Sequence, residues 1–548
     1  MDECHLVVLC HGLWGVSDHF NYLENALNNT VKLKGELSKD QPCKVIFYRT
    51  TSNERYRTYD GIDLCGTRVA EEIVDETQRL LANGHTVTRF SIIGYSLGGL
   101  IARYVIGVLE YKGYFKEVER VNFTSFCSPH VGVLTPGTSI SVKFFNWFVP
   151  QLLGTSGQQM FLKDNVFRNR KDERRTPLLS LMASPKSIFY RSLQSFEHLA
   201  LYSNIRSDIR TSWWTSGISY INPFEILDKN PNVRIDDQGF MTFESGSKFE
   251  LKYLDHYAPI ILDVNKQIKF TGLAEYSMTA ASSTTSKLNQ MVHEDMPDDN
   301  SANQDSESLS TVFSTLDNYF VRKFKWVIML FRVCVYLPMW LTWFILNNLV
   351  QVSQSTFRIL RESSKLKYLI DFYNLSDPLP GPVHARRISE SYSKGFSWFE
   401  NDLHDQGDYF LDSVFDAVTS SDPKAMESVF SEKQDKSGGN VSLTTTLSHL
   451  CSIPIDDIME DEQDLKSLDG TKQEAYNYFQ ILQRLRLGLS KNQREIVKNL
   501  SKLNWQKFPI YITTTNATHA AAIVRHEDPN FKQGETVVRH YCEEVFRS

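Results

Sequence analysis

Gly94-Tyr95-Ser96-Leu97-Gly98-Gly99 follows the apolar run Arg89–Ile93 and opens directly into helical spacing from Leu100. A serine on a tight strand-to-helix turn can act as a nucleophile. Glycines two residues to either side are required because a Cβ there would meet neighbouring backbone. The N-terminus of the following helix favours the negative charge that develops in acyl transfer. The spacing has neither the lysine of a P-loop nor the G-x-G-x-x-G of a dinucleotide site, so passive phosphate binding is the poorer reading. A second stretch, His11-Gly12-Leu13-Trp14-Gly15, follows the first apolar run. Hydrolases of the α/β type place there a loop whose backbone N–H completes an oxyanion hole with that of the residue after the nucleophile. The donors here would be Leu13 and Leu97.

Serine acyl transfer also needs a histidine to take the hydroxyl proton and a carboxylate to hold the imidazole, in the chain order serine, acid, histidine. Asp208 lies just past the strand-like run Leu199–Ile205, at the carboxyl edge where such sites assemble, although an exposed turn aspartate would look the same. The downstream histidines are His256, His293, His384, His404, His449, His519, His526 and His540. His256 is far enough beyond Asp208 for one more αβ unit. His519 follows Phe508–Thr514, which reads as a last strand, after a short loop, and is the preferred base.

With these residues in place, the sequence resembles the fungal members of the lipase-like putative serine esterases. The matching stretches are His5–Leu27 with HGLWG, Gly94–Tyr104 (GYSLGGLIARY), Ser128-Pro129-His130-Val131-Gly132, Gly157–Asp164 (GQQMFLKD), Leu201–Asp208 (LYSNIRSD) and the region around His519. The resemblance is good over residues 1–230 and at the C-terminus, and poor between. It implies an α/β-hydrolase fold that cleaves acyl esters of phospholipids or acylglycerols without cofactor or metal, with Ser96, Asp208 and His519 as triad. An acyltransferase would use the same acyl-enzyme. A degenerate hydrolase serving as a scaffold would lack one of the three, and candidates for all three are present.

The elements that must position these groups are legible as alternation. Residues 1–215 carry candidate strands His5–Leu9, Lys44–Tyr48, Arg89–Ile93, Arg120–Phe126 and Leu199–Ile205, with helical spacing over Gly66–Ala82 and Gly99–Leu109, the rhythm of βαβ units. Residues 1–230 form the first part of the hydrolase core and 231–276 an extension. Residues 277–318 form an acidic Ser/Thr-rich linker too poor in apolar surface to offset chain entropy. Residues 319–368 form a hydrophobic segment, 369–505 a helical or irregular insertion with a polar stretch at Glu432–Ser442, and 506–548 the last strand, the His519 loop and a terminal helix over Glu535–Phe546. The stretch containing Phe144, Phe145, Trp147 and Phe148 is denser in aromatics and less regular than a core helix. It suits a lid or a membrane contact.

In Trp326–Leu346 only Arg332, Pro338 and Thr342 fall outside the apolar set. Its length suits one membrane span. However, Ser96 and Asp208 precede it and His519 follows it, so an odd number of crossings would separate the triad. Basic residues flank both ends: Arg322, Lys323 and Lys325 before, Arg358, Arg361, Lys365 and Lys367 after. That pattern keeps both flanks cytosolic. With Pro338 offering a bend, the expectation is a hairpin or in-plane helix on a lipid-droplet monolayer or a cytosolic leaflet, the other reading being a buried core helix.

Composition bounds these readings. The chain has 548 residues, 59 Lys+Arg against 65 Asp+Glu, a net charge of −6 and 41% hydrophobic residues. Its mean hydropathy is −0.31. Several membrane spans would push that mean above zero, and a nucleic-acid partner would call for a basic surface. The 8 cysteines are scattered without zinc spacing, and the N-terminus reads as a strand rather than a secretory signal.

Overall fold

The computed structural model describes residues 1–37, 43–166, 176–208, 210–229, 233–242, 248–271, 337–362, 442–452 and 487–548. The elements used below are β1 (Asp2–Cys10), α1 (Asn21–Leu37), β2 (Lys44–Arg49), α2 (Ile62–Ala82), β3 (His85–Tyr95), α3 (Leu97–Tyr111), β4 (Glu119–Phe126), α4 (Ile140–Leu152) and β5 (His198–Asn204). They continue as β6 (Phe240–Thr242), β7 (Lys248–Glu250), β8 (Gln267–Thr271), α5 (Leu337–Arg361), β9 (Ser442–Thr446), α6 (Lys491–Leu500), β10 (Trp505–Ile510), α7 (Thr518–Ala521) and α8 (Lys532–His540).

Six strands form a sheet in the order β10-β5-β4-β3-β1-β2, every neighbouring pair parallel. Such a sheet is covered on both faces, which is why Leu6-Val7-Val8-Leu9 is an unbroken buried run rather than an alternating one. The α/β-hydrolase class expected from the sequence is the one observed. Its register sets the site: Cys10 pairs with Gly94, Tyr95 with Phe126 and Asn204 with Ile510. The carboxyl ends of β1, β3, β4, β5 and β10 therefore lie along one edge.

A second, antiparallel sheet has the order β6-β7-β8-β9. The strand β9 comes from the segment expected as an irregular insertion, and it pairs with β8 over Gln267–Thr271. Polar Ser442–Thr446 is thus a strand, stabilised by a partner remote in sequence.

The chain divides into two compact units, one of Met1–Ala280 with Ser355–Ser548 and one of Ala281–Gln354. Of the second unit, the described residues are Leu337–Gln354, all within α5. Pro338 is the second of the described residues of that helix, and the residues before Leu337, where a bend was expected to lead, lie outside the described ones. Trp326 and the acidic linker lie outside the described residues. Among the described residues no helix is long and apolar enough to cross a membrane.

The aromatic stretch is more regular than its composition suggests. It forms α4, capped by the Ser139 side chain accepting from the Val142 N–H, with Pro150 in its last turn. The terminal helix also differs in extent, with α8 beginning at Lys532 and Tyr541–Val545 continuing as a π-turn.

Candidate active site

Ser96 joins β3 to α3 with φ 56° and ψ −128°, a region that non-glycine residues enter only when the surroundings over-determine it. The surroundings here are close. A Cβ on Gly94 would lie 2.4 Å from the Gly99 Cα, and one on Gly98 2.0 Å from the Cys10 carbonyl oxygen. The Ser96 N–H donates to the Phe126 carbonyl at 2.9 Å, which ties the turn to the end of β4. Ser96 is half-buried among fully buried neighbours.

The loop after β1 is pressed against this turn. A Cβ on Gly12 would lie 2.6 Å from the Ser96 Cβ and 3.2 Å from its hydroxyl. The Trp14 N–H donates to Thr58 Oγ1 at 3.1 Å, and the Gly15 N–H to the Gly12 carbonyl at 3.0 Å. The N–H of Leu13 has no backbone partner among the described residues. Leu97 is the first residue of α3, where an N–H has no partner within its own helix.

At the same edge of the sheet His519 Nδ1 lies 2.9 Å from Asp208 Oδ2. Asp208 is 3% and His519 8% exposed. The placement follows from β10 lying beside β5, since Asp208 lies just past β5 and His519 sits in the short helix α7 beyond β10. The turn carrying Ser96 reaches α7 through Tyr95. Its hydroxyl donates to the His519 carbonyl at 3.1 Å, and its ring centroid is 5.1 Å from the imidazole. His256, the other candidate base, is exposed at φ 70°. His540 is buried against the Tyr202 hydroxyl at 2.7 Å. His293, His384 and His404 lie outside the described residues.

Three groups around Asp208 escaped the sequence reading. The Asn204 side-chain amide donates to Asp208 Oδ2 at 2.9 Å, and the Thr211 N–H donates to Oδ1 at 3.0 Å. Thr211 Oγ1 also lies 3.2 Å from His519 Nδ1. The third is Cys127, just past β4 at φ 48°, whose Sγ accepts from Asn204 at 3.3 Å. Burial alone would raise the Asp208 pKa. The facing imidazole and the donors from His519, Asn204 and Thr211 outweigh it and hold the carboxyl below its ordinary range. Burial and the Asp208 charge push the Cys127 thiol well up. Asn204 lies within LYSNIRSD, so a signal for it existed, whereas one of 8 scattered cysteines gave none. The donor atoms of Cys127, Asp208 and His519 all lie within 4.8 Å of one another.

The aromatic residues of α4 divide by helical spacing. Phe145 is buried with its ring 5.9 Å from Phe161, so it belongs to the core rather than to a lid or membrane contact. Phe144 and Trp147 are 56% and 60% exposed and Ile140 joins them on the outer face. Phe148 is half-buried and stacks on Phe144. On α5, Leu346 is exposed.

Residues 1–218 match the family described as "Putative serine esterase (DUF676)". Over 230 residues the chain is 29% identical to "Putative lipase YDL109C" of Saccharomyces cerevisiae, covering 41% of this chain and 32% of that one. It is 27% identical over 228 residues to "Putative lipase ROG1" of the same yeast, covering 41% and 30%. It is 28% identical over 218 residues to "Putative lipase C4A8.10" of Schizosaccharomyces pombe, covering 39% and 26%. The matched part thus spans less than a third of these relatives. Among solved structures, phospholipase PlaB from Legionella pneumophila in complex with thio-NAD aligns at 20% identity and a TM-score of 0.18, over 23% of this chain and 26% of that one. Residues 1–218, which carry the turn at Ser96 and reach Asp208, are thus similar to the putative serine esterase family, and they supply five of the six strands of the α/β-hydrolase sheet.

Proposed function

We propose that this chain hydrolyses acyl esters of phospholipids or acylglycerols at a lipid surface, with Ser96, His519 and Asp208 as catalytic triad. The observation that carries the reading is the strained Ser96 turn at the same sheet edge as the buried Asp208–His519 pair. In this mechanism Nδ1 of His519 donates to Asp208, leaving Nε2 to take the Ser96 proton as Oγ attacks the ester carbonyl. The oxyanion receives the N–H groups of Leu13 and Leu97, the first on a loop held by Thr58 and the second at the positive end of α3. His519 then returns its proton to the leaving alcohol, and water resolves the acyl-enzyme by the same route in reverse.

The lipid surface is supported by the exposed stripe of Ile140, Phe144 and Trp147 and by exposed Leu346 on α5. Such a surface would be a lipid-droplet monolayer or a cytosolic leaflet. The test is incubation of the purified chain with vesicles of mixed phospholipid and acylglycerol, compared with Ser96→Ala by mass spectrometry. Release of free fatty acid by the wild type and its loss in the variant, together with loss of fluorophosphonate labelling, is the expected result. Hydrolysis retained in Ser96→Ala would overturn the reading, and acyl chains recovered on a second lipid rather than as free acid would make the chain a transferase.

A further inference from the structure

Cys127, Asp208 and His519 come from the ends of three different segments, and their Sγ, carboxylate oxygen and imidazole nitrogen share a space of 4.8 Å. All three side chains are buried. Hydrogen bonding between Asp208 and His519 explains two of them, and the proposed acyl transfer gives the thiol no role. Yet Cys127 occupies a left-handed backbone position at φ 48°, a conformation uncommon for a residue with a Cβ. A thiol, an imidazole and a carboxylate converging on one point are the donor set of a three-ligand zinc site with a fourth position open. Hard cations such as Mg²⁺ prefer oxygen ligands throughout.

We infer that Cys127, Asp208 and His519 form an inhibitory site for a soft divalent cation, Zn²⁺ or Cd²⁺. This inference rests on the reading of His519 as the general base. The cation would bind the Cys127 thiolate, an Asp208 oxygen and His519 Nδ1. The thiol proton leaves to solvent and the imidazole proton moves from Nδ1 to Nε2, so one proton is released and the two anionic ligands balance the dication. A metallated Nδ1 turns Nε2 into an N–H donor, which cannot accept the Ser96 proton. The bound state is therefore inactive, and removal of the metal restores the base.

One neighbour must move. The Asn204 amide N–H group points at both Asp208 Oδ2 and Cys127 Sγ, and a cation would be repelled by it. The Asn204 Oδ1, however, is buried without a hydrogen-bond partner. Rotation of that amide by half a turn replaces a donor with an oxygen that can serve as fourth ligand.

The experiment measures ester hydrolysis against Zn²⁺ concentration for wild type, Cys127→Ser and Cys127→Gly, with Mg²⁺ as control and EDTA added at the end. The glycine variant removes the sulfur while suiting the backbone at this position. Loss of an outer partner of a metal site costs about 10–100-fold in affinity, and loss of a ligand should cost no less. Each variant should therefore need at least about tenfold more Zn²⁺ for half-inhibition. Wild-type inhibition should be reversed by EDTA and absent with Mg²⁺. In parallel, Cd²⁺ added to Ser96→Ala should give ultraviolet thiolate-to-metal absorption that is missing when Cys127→Ser is added to it. Equal Zn²⁺ sensitivity in wild type and both variants, no inhibition at all, or a Cd²⁺ band independent of Cys127 would overturn the inference. Because the Cd²⁺ band requires no turnover, it stands even if Ser96→Ala retains hydrolysis and the reading of the serine fails.

Discussion

His519 Nδ1 and Asp208 Oδ2 lie 2.9 Å apart although 311 positions separate them in the chain. The distance is closed by one strand pairing, β10 against β5 from Trp505↔Leu199 to Ile510↔Asn204, which delivers the loop before α7 to the end of the strand before Asp208. The carboxylate fixes which imidazole nitrogen carries the proton. In Asp208→Asn the amide can present its N–H to Nδ1 and favour the wrong tautomer. We expect turnover to fall by about 10³–10⁴-fold with little change in KM, by analogy with other serine triads. Steady-state kinetics on a short-chain ester check this, and a loss below tenfold would mean that Asp208 is not the orienting acid.

Much of this arrangement was legible in sequence, for definite reasons. The elbow reads directly because its chemistry forces glycine at Gly94 and Gly98, where a Cβ would enter the backbone. The parallel strands read as apolar runs because they are covered on both faces. The choice of His519 over His256 required a last strand beside β5, and Phe508–Thr514 signalled that strand, although its observed extent is Trp505–Ile510. Cys127 and Thr211 were not legible, because their roles depend on which strand ends become neighbours, a property of topology rather than of local pattern. The strand β9 was missed for the same reason, since Ser442–Thr446 has no apolar alternation and is held by its ladder with β8. On α4, helical periodicity separates Phe145 from Phe144 and Trp147, but a dense aromatic run masks that periodicity in composition.

Asp60 shows how the C-terminal end of α5 is tied to the hydrolase core. Its buried carboxylate accepts from Arg358 Nη2 at 2.8 Å and Nε at 2.9 Å, and pairs with Arg68 Nη1 at 2.8 Å. Arg68 Nη2 in turn reaches Glu362 at 2.9 Å. Asp60→Ala leaves two guanidinium groups facing an empty site, one of them buried, and removal of one partner of a buried pair costs about 3–5 kcal/mol. Arg358→Met should cost less, because Arg68 still neutralises Asp60. Urea denaturation of the two variants checks the order. Asp60 ends the turn whose Thr58 receives the Trp14 N–H, so Asp60→Ala should also lower turnover per folded molecule.

Acid should destabilise this fold through histidines that are buried in their neutral form. Burial, with a smaller contribution from Arg89, lowers the His5 pKa from 6.5 to about 3, and burial lowers that of His540 to about 4. Below pH 6.5 the unfolded chain binds protons that the folded chain refuses, so stability is full above that pH and is lost as pH falls toward 4 and then 3. Each such group contributes a slope of up to about 1.4 kcal/mol per pH unit within its window. His540→Phe keeps the ring packing against Phe508 and Tyr257 but removes the titration, at the expense of the Tyr202 hydrogen bond. Thermal melts between pH 7.5 and 5 should show a shallower decline for the variant than for the wild type. Parallel declines would assign the acid sensitivity elsewhere.

The outer face of α4 gives the lipid-surface proposal its sharpest test. Ile140, Phe144 and Trp147 fall at i, i+4 and i+7, are all more than half exposed, and share their helix with Phe145 and Val149 on the buried side. Replacing the three outer residues by serine leaves the inner face intact, so folding should change little. Burying a side chain of this size in an apolar medium is worth about 1.5–3 kcal/mol, and partial insertion of three should contribute at least about 3 kcal/mol. That corresponds to a loss of about 100-fold or more in partitioning to vesicles. Flotation of the variant with phospholipid vesicles should fall accordingly, and hydrolysis of vesicle lipid should fall with it by more than hydrolysis of a water-soluble short-chain ester. If the two substrates are affected equally, α4 acts on the site itself, as a lid or a wall. If vesicle binding is unchanged, the lipid contact lies elsewhere, and exposed Leu346, Leu349, Val350, Phe357 and Leu360 on α5 become the next residues to replace.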